Sequence, residues 1–506
     1  MHNTNPPQPE QPYARPILWL LVTLTVLIPL FGAGTTPLAA IFAQILSILL
    51  LSLVFWVPQQ VGITRWESFV LVLLLLTPLI YLVPLPQHLL EHLPGRTVYA
   101  EAASLLRADA ADGWQALTVV RQASVAAALA LLVPVAVYVA ARSLQVDKLH
   151  ILLSVLLGVA GLQALIGLMQ SGTGAQGAAE AFWAVEGLKG MPATGTYSNR
   201  NHLAGLLEMM LPVTLALYFF HLGRRGERGT QHGWRRKAAL LGSVAGHKAV
   251  VYGVTALLIL IAIVFTRSRS GILLAIIGIM LTTILFSRRI GGSNAFGPAG
   301  SIVSLALAAG LAIGLAPVLD RFSVAALADS ARIPLFELTL QGAGSFFPVG
   351  SGPGTFPAVF PALQPVELGQ WFINRAHNDY LEWIFDLGVL GAAIPMSIIV
   401  LYAIQWTRVY SSGAWSRERF IQVGAGIGLL LLMLHEVVDY NLHTPANQLA
   451  FALLAAVFFT PSSKISASEA DGGRRRKRRT PDLPVPMAVD LGSAKLPPDQ
   501  IENPFR

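Results

Sequence analysis

The sequence predicts an all-α integral membrane protein with about twelve transmembrane helices. Of its 506 residues, 54% are hydrophobic and only 12% are charged, whereas soluble domains carry about 25% charged residues. The mean hydropathy is +0.60. Apolar runs long enough to cross the hydrocarbon core, roughly 20 residues each, recur along the chain. These observations assign the chain to the membrane class before any motif is considered.

Twelve apolar segments have about the length of a membrane-spanning helix, although the last is short. They are 17–34, 36–56, 67–86, 122–141, 149–170, 202–221, 249–266, 270–287, 300–318, 386–405, 421–440 and 446–460. The stretch 249–287 could be mistaken for one long helix. It is interrupted at Thr266-Arg267-Ser268-Arg269-Ser270-Gly271, and this polar run predicts a reversal of the chain.

The distribution of basic residues predicts the topology. Dense clusters of arginine fall in alternate loops and in the C-terminal tail, so the positive-inside rule places both termini in the cytoplasm. We expect a cytoplasmic N-terminal tail (1–16), a membrane domain (17–460) and a basic, disordered tail (461–506). The loop 319–385 then lies outside. Its length of over 60 residues is typical of a functional loop rather than a connector.

Composition also excludes several kinds of chemistry. The chain has no cysteine, so disulfides, thiolate catalysis and cysteine-based metal sites are absent. The net charge of +8 could indicate nucleic-acid binding. We expect no nucleic-acid partner, because the basic residues lie in short loops and one tail, as membrane topology alone requires.

Four polar clusters from distant parts of the chain fall on the outer face under this topology. They are Asn199–His202, Arg267 with Arg269, Arg332 with the segment around His377, and Asp439–His443. Ionisable residues in or beside a membrane span are costly and mark functional sites. We expect the clusters to form one site. Its supporting residues would be Asn201, His202, Asn378, Asp379, Asp439 and His443.

These residue types suit an anion with several oxygens. The planar guanidinium of arginine binds phosphate in a bidentate way. The candidate diphosphate ligands are Arg200, Arg267, Arg269 and Arg332. His377 is the candidate general base, since histidine titrates near neutral pH and could deprotonate an incoming hydroxyl. Because no acidic metal cage accompanies them, we expect no metal and no cofactor.

Each assignment has a plainer structural alternative. On one helix, Arg267 and Arg269 would point to nearly opposite sides, so only one would reach a shared site. Arg332 could solvate the polar side of a loop helix, and His377 could belong to the cap of the helix that follows it. His435 could pair with an aspartate one turn later in its own helix.

A more specific pattern begins at His377-Asn378, which is followed after nine residues by Gly388-Val389-Leu390-Gly391. This run resembles the His-Asn-x9-Gly-x-x-Gly pattern of bacterial O-antigen ligases. Further blocks resemble the wider O-antigen ligase and polymerase superfamily. They are Asn199–Gly205, Ser268–Gly271, the glycine-rich turn Gly350–Phe356 and Asp439–Pro445. The blocks occur in the expected order within residues 195–445, roughly half of the chain.

The resemblance implies a GT-C-like membrane glycosyltransferase of the bacterial inner membrane, with its active site facing the periplasm. Such enzymes take a glycan from an undecaprenyl-diphosphate-linked donor. They pass it, with inversion and without a metal, to lipid A-core, to another carrier-linked glycan or to a protein. By motif, Arg269 and Arg332 resemble the family's diphosphate-binding arginines and His377 its proposed base. The histidine motif favours a ligase over a polymerase or a protein O-oligosaccharyltransferase, which stay open.

A rival from another class is a secondary transporter of small anions that uses the arginines as ligands. Transporters tend to bind substrate near the bilayer midplane at broken helices, often between internal repeats. Here the polar groups gather at one mouth of the predicted bundle, and the sequence has no evident repeat. A non-catalytic scaffold would not need arginines and a histidine from separate spans.

Overall fold

The structure is a computed structural model. It describes residues 13–56, 62–99, 101, 114–171, 192–223, 244–287, 296–313, 332–366, 372–411 and 415–468. Most of the predicted N-terminal tail, the part 319–331 of the long loop and the basic run of the C-terminal tail lie outside these residues. Within the predicted C-terminal tail, Ser462–Ser468 form a short helix.

The described chain is helical apart from one small ribbon. Its helices are α1 (Ala14–Leu30), α2 (Pro37–Trp56), α3 (Arg65–Leu82), α4 (Gln87–Glu91), α5 (Arg121–Ala130), α6 (Leu132–Ser143), α7 (Val146–Ser171), α8 (Arg200–Gly223), α9 (Val244–Phe265), α10 (Arg269–Ser287), α11 (Phe296–Ile313), α12 (Arg332–Phe346), α13 (Phe356–Val359), α14 (Asp379–Leu387), α15 (Val389–Ser411), α16 (Arg417–His435), α17 (Pro445–Phe458) and α18 (Ser462–Ser468). Short 3-10 turns occupy Gly32–Gly34, Phe360–Ala362 and Asn441–His443. The ribbon pairs β1 (Pro84–Pro86) antiparallel with β2 (Trp114–Ala116).

Each of the twelve predicted segments contains a helix. Within the described ranges, nine are long and apolar enough to cross a membrane, counting α5 and α6 together. A tenth is formed if α17 and α18, which meet at a bend of 79°, make one span. The all-helical membrane architecture is therefore confirmed, whereas the count of about twelve spans is not.

Helices α8 and α16 form the centre of the bundle. In the apolar stretches of α8 and α16, 89% and 78% of the residues are buried. In those of α2 and α15 only 22% are buried, so these helices face outward. Glycine lets the two central helices approach closely. A Cβ atom on Gly428 of α16 would lie 2.4 Å from the carbonyl oxygen of Met209 on α8. Small residues commonly permit such crossings in membranes.

The polar interruption between α9 and α10 reverses the chain, as the sequence predicts. The hydroxyl of Thr266 donates to the Ile263 carbonyl oxygen (2.6 Å), which ends α9. Arg267 then adopts a left-handed conformation with φ of 54°. The amide of Gly271 donates to the Ser268 hydroxyl (3.2 Å), which opens α10. Arg267 therefore does not share a regular helix with Arg269, so helical spacing does not determine their relative directions.

The loop after α11 builds a small hydrophobic core of its own. Phe356 stacks on Phe360 with ring centroids 4.7 Å apart and meets Phe385 edge-on at 5.1 Å. Leu335, three residues after Arg332, and Ala376, immediately before His377, are buried in the same core. Both candidate residues of this loop are therefore held by one packed unit.

Candidate active site

Asp439 joins the polar clusters. Its side chain is fully buried in the turn between α16 and α17. The Arg332 Nη2 atom lies 3.3 Å from Asp439 Oδ2, and the side-chain amide of Asn201 donates to the same oxygen. His377 Nδ1 lies 3.5 Å from Oδ1. Three of the predicted clusters thus meet at one carboxylate.

The surroundings keep Asp439 ionised. Burial alone would raise the pKa of its carboxyl group. The contact with His377 and the positive charges of His435 and Arg332 outweigh burial, and they hold the pKa well below its usual range. Arg332 and His377 are each 31% exposed. Their outer sides remain accessible to a ligand, while the carboxylate behind them is not.

His377 has an uncommon backbone conformation. Its φ is 52°, and only Ala33 and Arg267 share a positive φ among the described residues other than glycine. Such conformations cost free energy and concentrate at functional sites. The imidazole packs edge-on against Tyr440, with ring centroids 4.8 Å apart. The adjacent Asn378, not His377, caps α14, because its side chain accepts the amide proton of Leu381 (3.1 Å).

Arg269 is the first residue of α10. The neighbouring Ser270 hydroxyl lies 2.7 Å from Nε2 of His435, and the His435 carbonyl accepts the amide proton of Asp439 (3.0 Å). Arg269 is thus adjacent in sequence to Ser270, which is linked to Asp439 through His435. Arg267, two residues before α10, is half-buried. Arg200, the first residue of α8, is also half-buried.

His435 makes a different pair from the one considered above. Its Nδ1 atom lies 2.9 Å from Oε1 of Glu208, a buried carboxyl group in the middle of α8. Together with Ser270, these residues form a hydrogen-bonded chain from α8 through α16 to α10. The prediction missed Glu208, although an acidic residue inside an apolar span is itself a signal.

His202 also contacts Tyr440 and the turn that follows α16. Its Nδ1 atom lies 2.7 Å from the Thr444 hydroxyl, and its ring meets Tyr440 edge-on at 4.7 Å. The Asn447 side chain donates to the His202 carbonyl (2.9 Å). A Cβ atom on Gly205 would lie 2.4 Å from Oδ1 of Asn441, so glycine is needed for the turn to approach α8. His202 therefore positions the turn that carries Asp439.

His443 and Asp379 form a second centre rather than joining the first. His443 Nε2 lies 3.4 Å from Oδ1 of Asp379 and 3.3 Å from Oε1 of Glu382. Arg375 donates to the same Glu382 oxygen (2.7 Å). Burial and Arg375 act to lower the pKa of His443, but Asp379 and Glu382 prevail and raise it to about 9. Burial acts to raise the pKa of Glu382, yet His443 and Arg375 lower it to about 2.

Asp379, Asp439 and His443 could have supplied metal ligands. Within the ranges that the structure describes, no three acidic or histidine side chains are grouped as a metal site requires. Asp439 contacts Arg332 and His377 instead. Metal independence of the reaction stays a prediction.

Asp386 fixes the glycine-rich turn. Its carboxyl group accepts the amide proton of Gly354 (2.7 Å) and the hydroxyl proton of Thr355 (3.2 Å). Burial and the charge of Glu382 raise the pKa of Asp386 to about 8. Gly352 in this turn has a φ of 128°, which favours glycine. The turn is therefore a tight reversal that Asp386 of α14 holds in place.

A cleft of about 730 Å³ adjoins Tyr440, and we name it the Tyr440 cleft. Its polar end is formed by Asn199, His202, Asn374, Arg375, Asp379, Asp386, Tyr440 and His443. Its apolar wall includes Leu74, Pro78, Ala123, Ala126, Ala127, Ala130, Leu131 and Ile394. Neither Arg332 nor His377 lines it. The cleft therefore excludes both of these side chains, although Tyr440 lines it and contacts the His377 ring.

Part of the chain is similar to a known protein family. Residues 254–396 match the family model described as O-antigen ligase. This region is therefore similar to O-antigen ligase domains. The match includes Arg269, Arg332 and His377, and it confirms the resemblance to the O-antigen ligase superfamily. Among curated proteins, none matches the chain.

The match makes this part of the chain similar to O-antigen ligases, and the described residues include nine helices that are long and apolar enough to cross a membrane. The match does not extend to Asn201 or Asp439, which lie outside 254–396. The structure nevertheless brings both to Arg332.

Proposed function

We propose that this protein transfers a glycan from an undecaprenyl-diphosphate-linked donor to an acceptor hydroxyl at the periplasmic face of the bacterial inner membrane. One observation carries the proposal. Arg332 and His377, from the loop unit, meet the buried carboxylate of Asp439 on the membrane bundle. An anion-binding group and a base thus both contact the Asp439 carboxylate.

In the proposed reaction, His377 accepts the proton of the acceptor hydroxyl through Nε2, because Nδ1 faces Asp439. The hydroxyl oxygen attacks the anomeric carbon, and the bond from that carbon to the diphosphate oxygen breaks. The diphosphate leaves with the electron pair. Arg332 and Arg269 stabilise the charge that develops on it. A single displacement of this kind inverts the anomeric centre and needs no metal.

The ligase reaction, with lipid A-core as acceptor, is the form that we propose. Polymerisation onto a second carrier-linked glycan and transfer to protein would use the same chemistry. The three reactions differ only in the acceptor. A transfer assay that offers each acceptor in turn to the reconstituted protein therefore separates them.

The decisive variant is His377→Ala, assayed with undecaprenyl-diphosphate-linked glycan in reconstituted bilayers. We expect turnover to fall by about 10²- to 10⁴-fold, which is the usual contribution of a positioned base. His88→Ala is a matched control, because this histidine lies on α4, away from Asp439. Undiminished transfer by His377→Ala would remove the base from the mechanism. Loss of wild-type activity in chelator, with recovery on adding a divalent ion, would contradict the metal-free reaction.

A further inference from the structure

Three side chains from three different helices form a hydrogen-bonded chain that the proposed reaction does not use. Glu208 of α8 and His435 of α16 are both fully buried, and Glu208 Oε1 lies 2.9 Å from His435 Nδ1. His435 Nε2 lies 2.7 Å from the hydroxyl of Ser270, which is half-buried in the first turn of α10. The chain therefore leads from the interior of the bundle to a partly accessible side chain.

The inner pair determines the direction of these hydrogen bonds. Glu208 and His435 are buried in the bundle, where an uncompensated charge is costly. The pair is therefore neutral as a whole, either as a carboxylate with an imidazolium or as a carboxylic acid with an imidazole. In the first form, both ring nitrogens carry a proton. In the second, Oε1 donates its proton to Nδ1, so the ring proton is on Nε2.

The other carboxyl oxygen disfavours the remaining neutral form. If the proton were on Glu208 Oε2, His435 could donate through Nδ1 and accept the Ser270 hydroxyl proton at Nε2. Among the residues that the structure describes, however, Oε2 has no hydrogen-bond partner. An O–H group there would be a buried donor without an acceptor, which is costly. His435 therefore donates to Ser270 through Nε2.

Because Ser270 accepts this hydrogen bond, its own hydroxyl proton must point elsewhere. The neighbouring Ser268 Oγ lies 3.3 Å away, whereas hydrogen bonds between hydroxyl groups are usually ~2.7–2.8 Å long. Ser268 Oγ also accepts the amide proton of Gly271 (3.2 Å). An anionic oxygen would be a better acceptor, since hydrogen bonds to charged groups are shorter and stronger. The Ser270 hydroxyl is therefore oriented to donate to an anion.

The position of Ser270 matches that of the proposed diphosphate site. It directly follows Arg269 in the first turn of α10, where the helix dipole favours negative charge. His435 is close enough to Asp439 and Arg332 to interact with both electrostatically, and its carbonyl oxygen accepts the amide proton of Asp439 (3.0 Å). One histidine therefore links the Ser270 hydroxyl to the segment that carries Asp439.

We propose that Ser270 binds the diphosphate of the donor by donating its hydroxyl proton to an oxygen of that group, beside Arg269. Glu208 and His435 are positioning residues. They do not contact the substrate, but they keep Nε2 protonated, so that Ser270 donates outward. The inference rests on the proposed function, because the anion is the diphosphate leaving group of that reaction. No covalent bond forms at Ser270.

Inorganic pyrophosphate is the probe for the Ser270 hydroxyl, with the full chain in lipid nanodiscs and binding measured by calorimetry. We expect Ser270→Ala to weaken pyrophosphate binding by about tenfold or more, the usual effect of losing a hydrogen bond to a charged group. Ser270→Thr retains a hydroxyl and should restore most of the affinity. Ser287→Ala is the matched control at the other end of α10, because the Ser287 hydroxyl donates to the Ile284 carbonyl (2.8 Å), and it should bind as the wild type does.

The direction of the inner hydrogen bond can be measured directly. In nitrogen NMR spectra of the isotopically labelled chain, the Nε2 signal of His435 is assigned by its absence in His435→Gln. We expect the signal of a protonated ring nitrogen. An unprotonated Nε2 would show that Ser270 donates inward and would overturn the inference. Covalent labelling of Ser270 by a fluorophosphonate would also overturn it, since a serine that donates to an imidazole is an activated nucleophile.

Pyrophosphate binding requires no turnover, so this inference and the proposed reaction can fail separately. Equal pyrophosphate affinity of the wild type and Ser270→Ala, with normal glycan transfer, would refute only the role of Ser270. No glycan transfer by a wild type whose pyrophosphate affinity depends on Ser270 would refute the reaction and leave the anion site. No pyrophosphate binding by the wild type would overturn the anion site itself.

Discussion

Replacing Asp439 with asparagine tests whether one carboxylate organises the Asp439 centre. The substitution preserves size but removes the charge that faces Arg332 and His377. A positioned base contributes about 10²- to 10⁴-fold to a rate. The His377–Asp439 separation of 3.5 Å exceeds the usual ~2.7–2.9 Å of a charge-assisted hydrogen bond. Only part of the base's contribution should therefore depend on the carboxylate.

We expect kcat to fall by about 30- to 100-fold, which corresponds to roughly 2 to 2.7 kcal/mol in the activation free energy. The KM for the donor should be unchanged or lower, because removing a carboxylate reduces the repulsion of an incoming diphosphate. The assay is glycan transfer in reconstituted bilayers, with donor and acceptor varied separately. Glu337→Gln removes a carboxylate from the exposed side of α12 and serves as the control.

Transfer by Asp439→Asn within about twofold of the wild-type kcat would refute this reasoning, since the carboxylate would then be only a structural anchor. A higher donor KM with an unchanged kcat would also contradict it. That result would mean that Asp439 acts by orienting Arg332 for ground-state binding alone.

Two further predictions concern stability. Gly428→Ala should lower the free energy of unfolding by about 1–3 kcal/mol, because its Cβ would meet the Met209 carbonyl at 2.4 Å. Thermal unfolding in detergent should show a lower Tm. Gly158→Ala on α7 is the control and should not lower the Tm, because no atom lies within 4 Å of the added Cβ. The raised pKa of His443, about 9, should contribute stability that is fully present below the unfolded pKa of about 6.5 and lost as pH rises through about 9. The Tm of the wild type should therefore fall more steeply than that of His443→Gln between pH ~7 and pH ~10, and parallel curves would show that the ion pairs of His443 add nothing.

The sequence was sufficient to locate the helices, because apolar runs of the required length are a local property. Each of the predicted segments contains a helix, and the polar break before Arg269 reverses the chain. The number of spans was harder to predict. A short run such as α17 can be a complete span or half of a bent pair, and this depends on its packing.

The candidate site was predictable in its members but not in its connections. Arg332 and His377 were chosen from residue type, motif and position, and the structure brings both to Asp439. The sequence could not indicate that His443 pairs with Asp379 and Glu382 rather than joining Arg332 and His377 at Asp439. That separation depends on the fold of the turn after α16, which no local pattern encodes.

The core of the loop unit has a consequence for how substrate preference could change. Leu335 and Ala376 anchor Arg332 and His377 in one aromatic cluster, apart from the lipid-facing helices. The reacting groups would therefore keep their mutual spacing if residues along α2, α3 or α5 were exchanged. Variation in those helices could alter which carrier or sugar binds, while the positions of Arg332 and His377 stay unchanged.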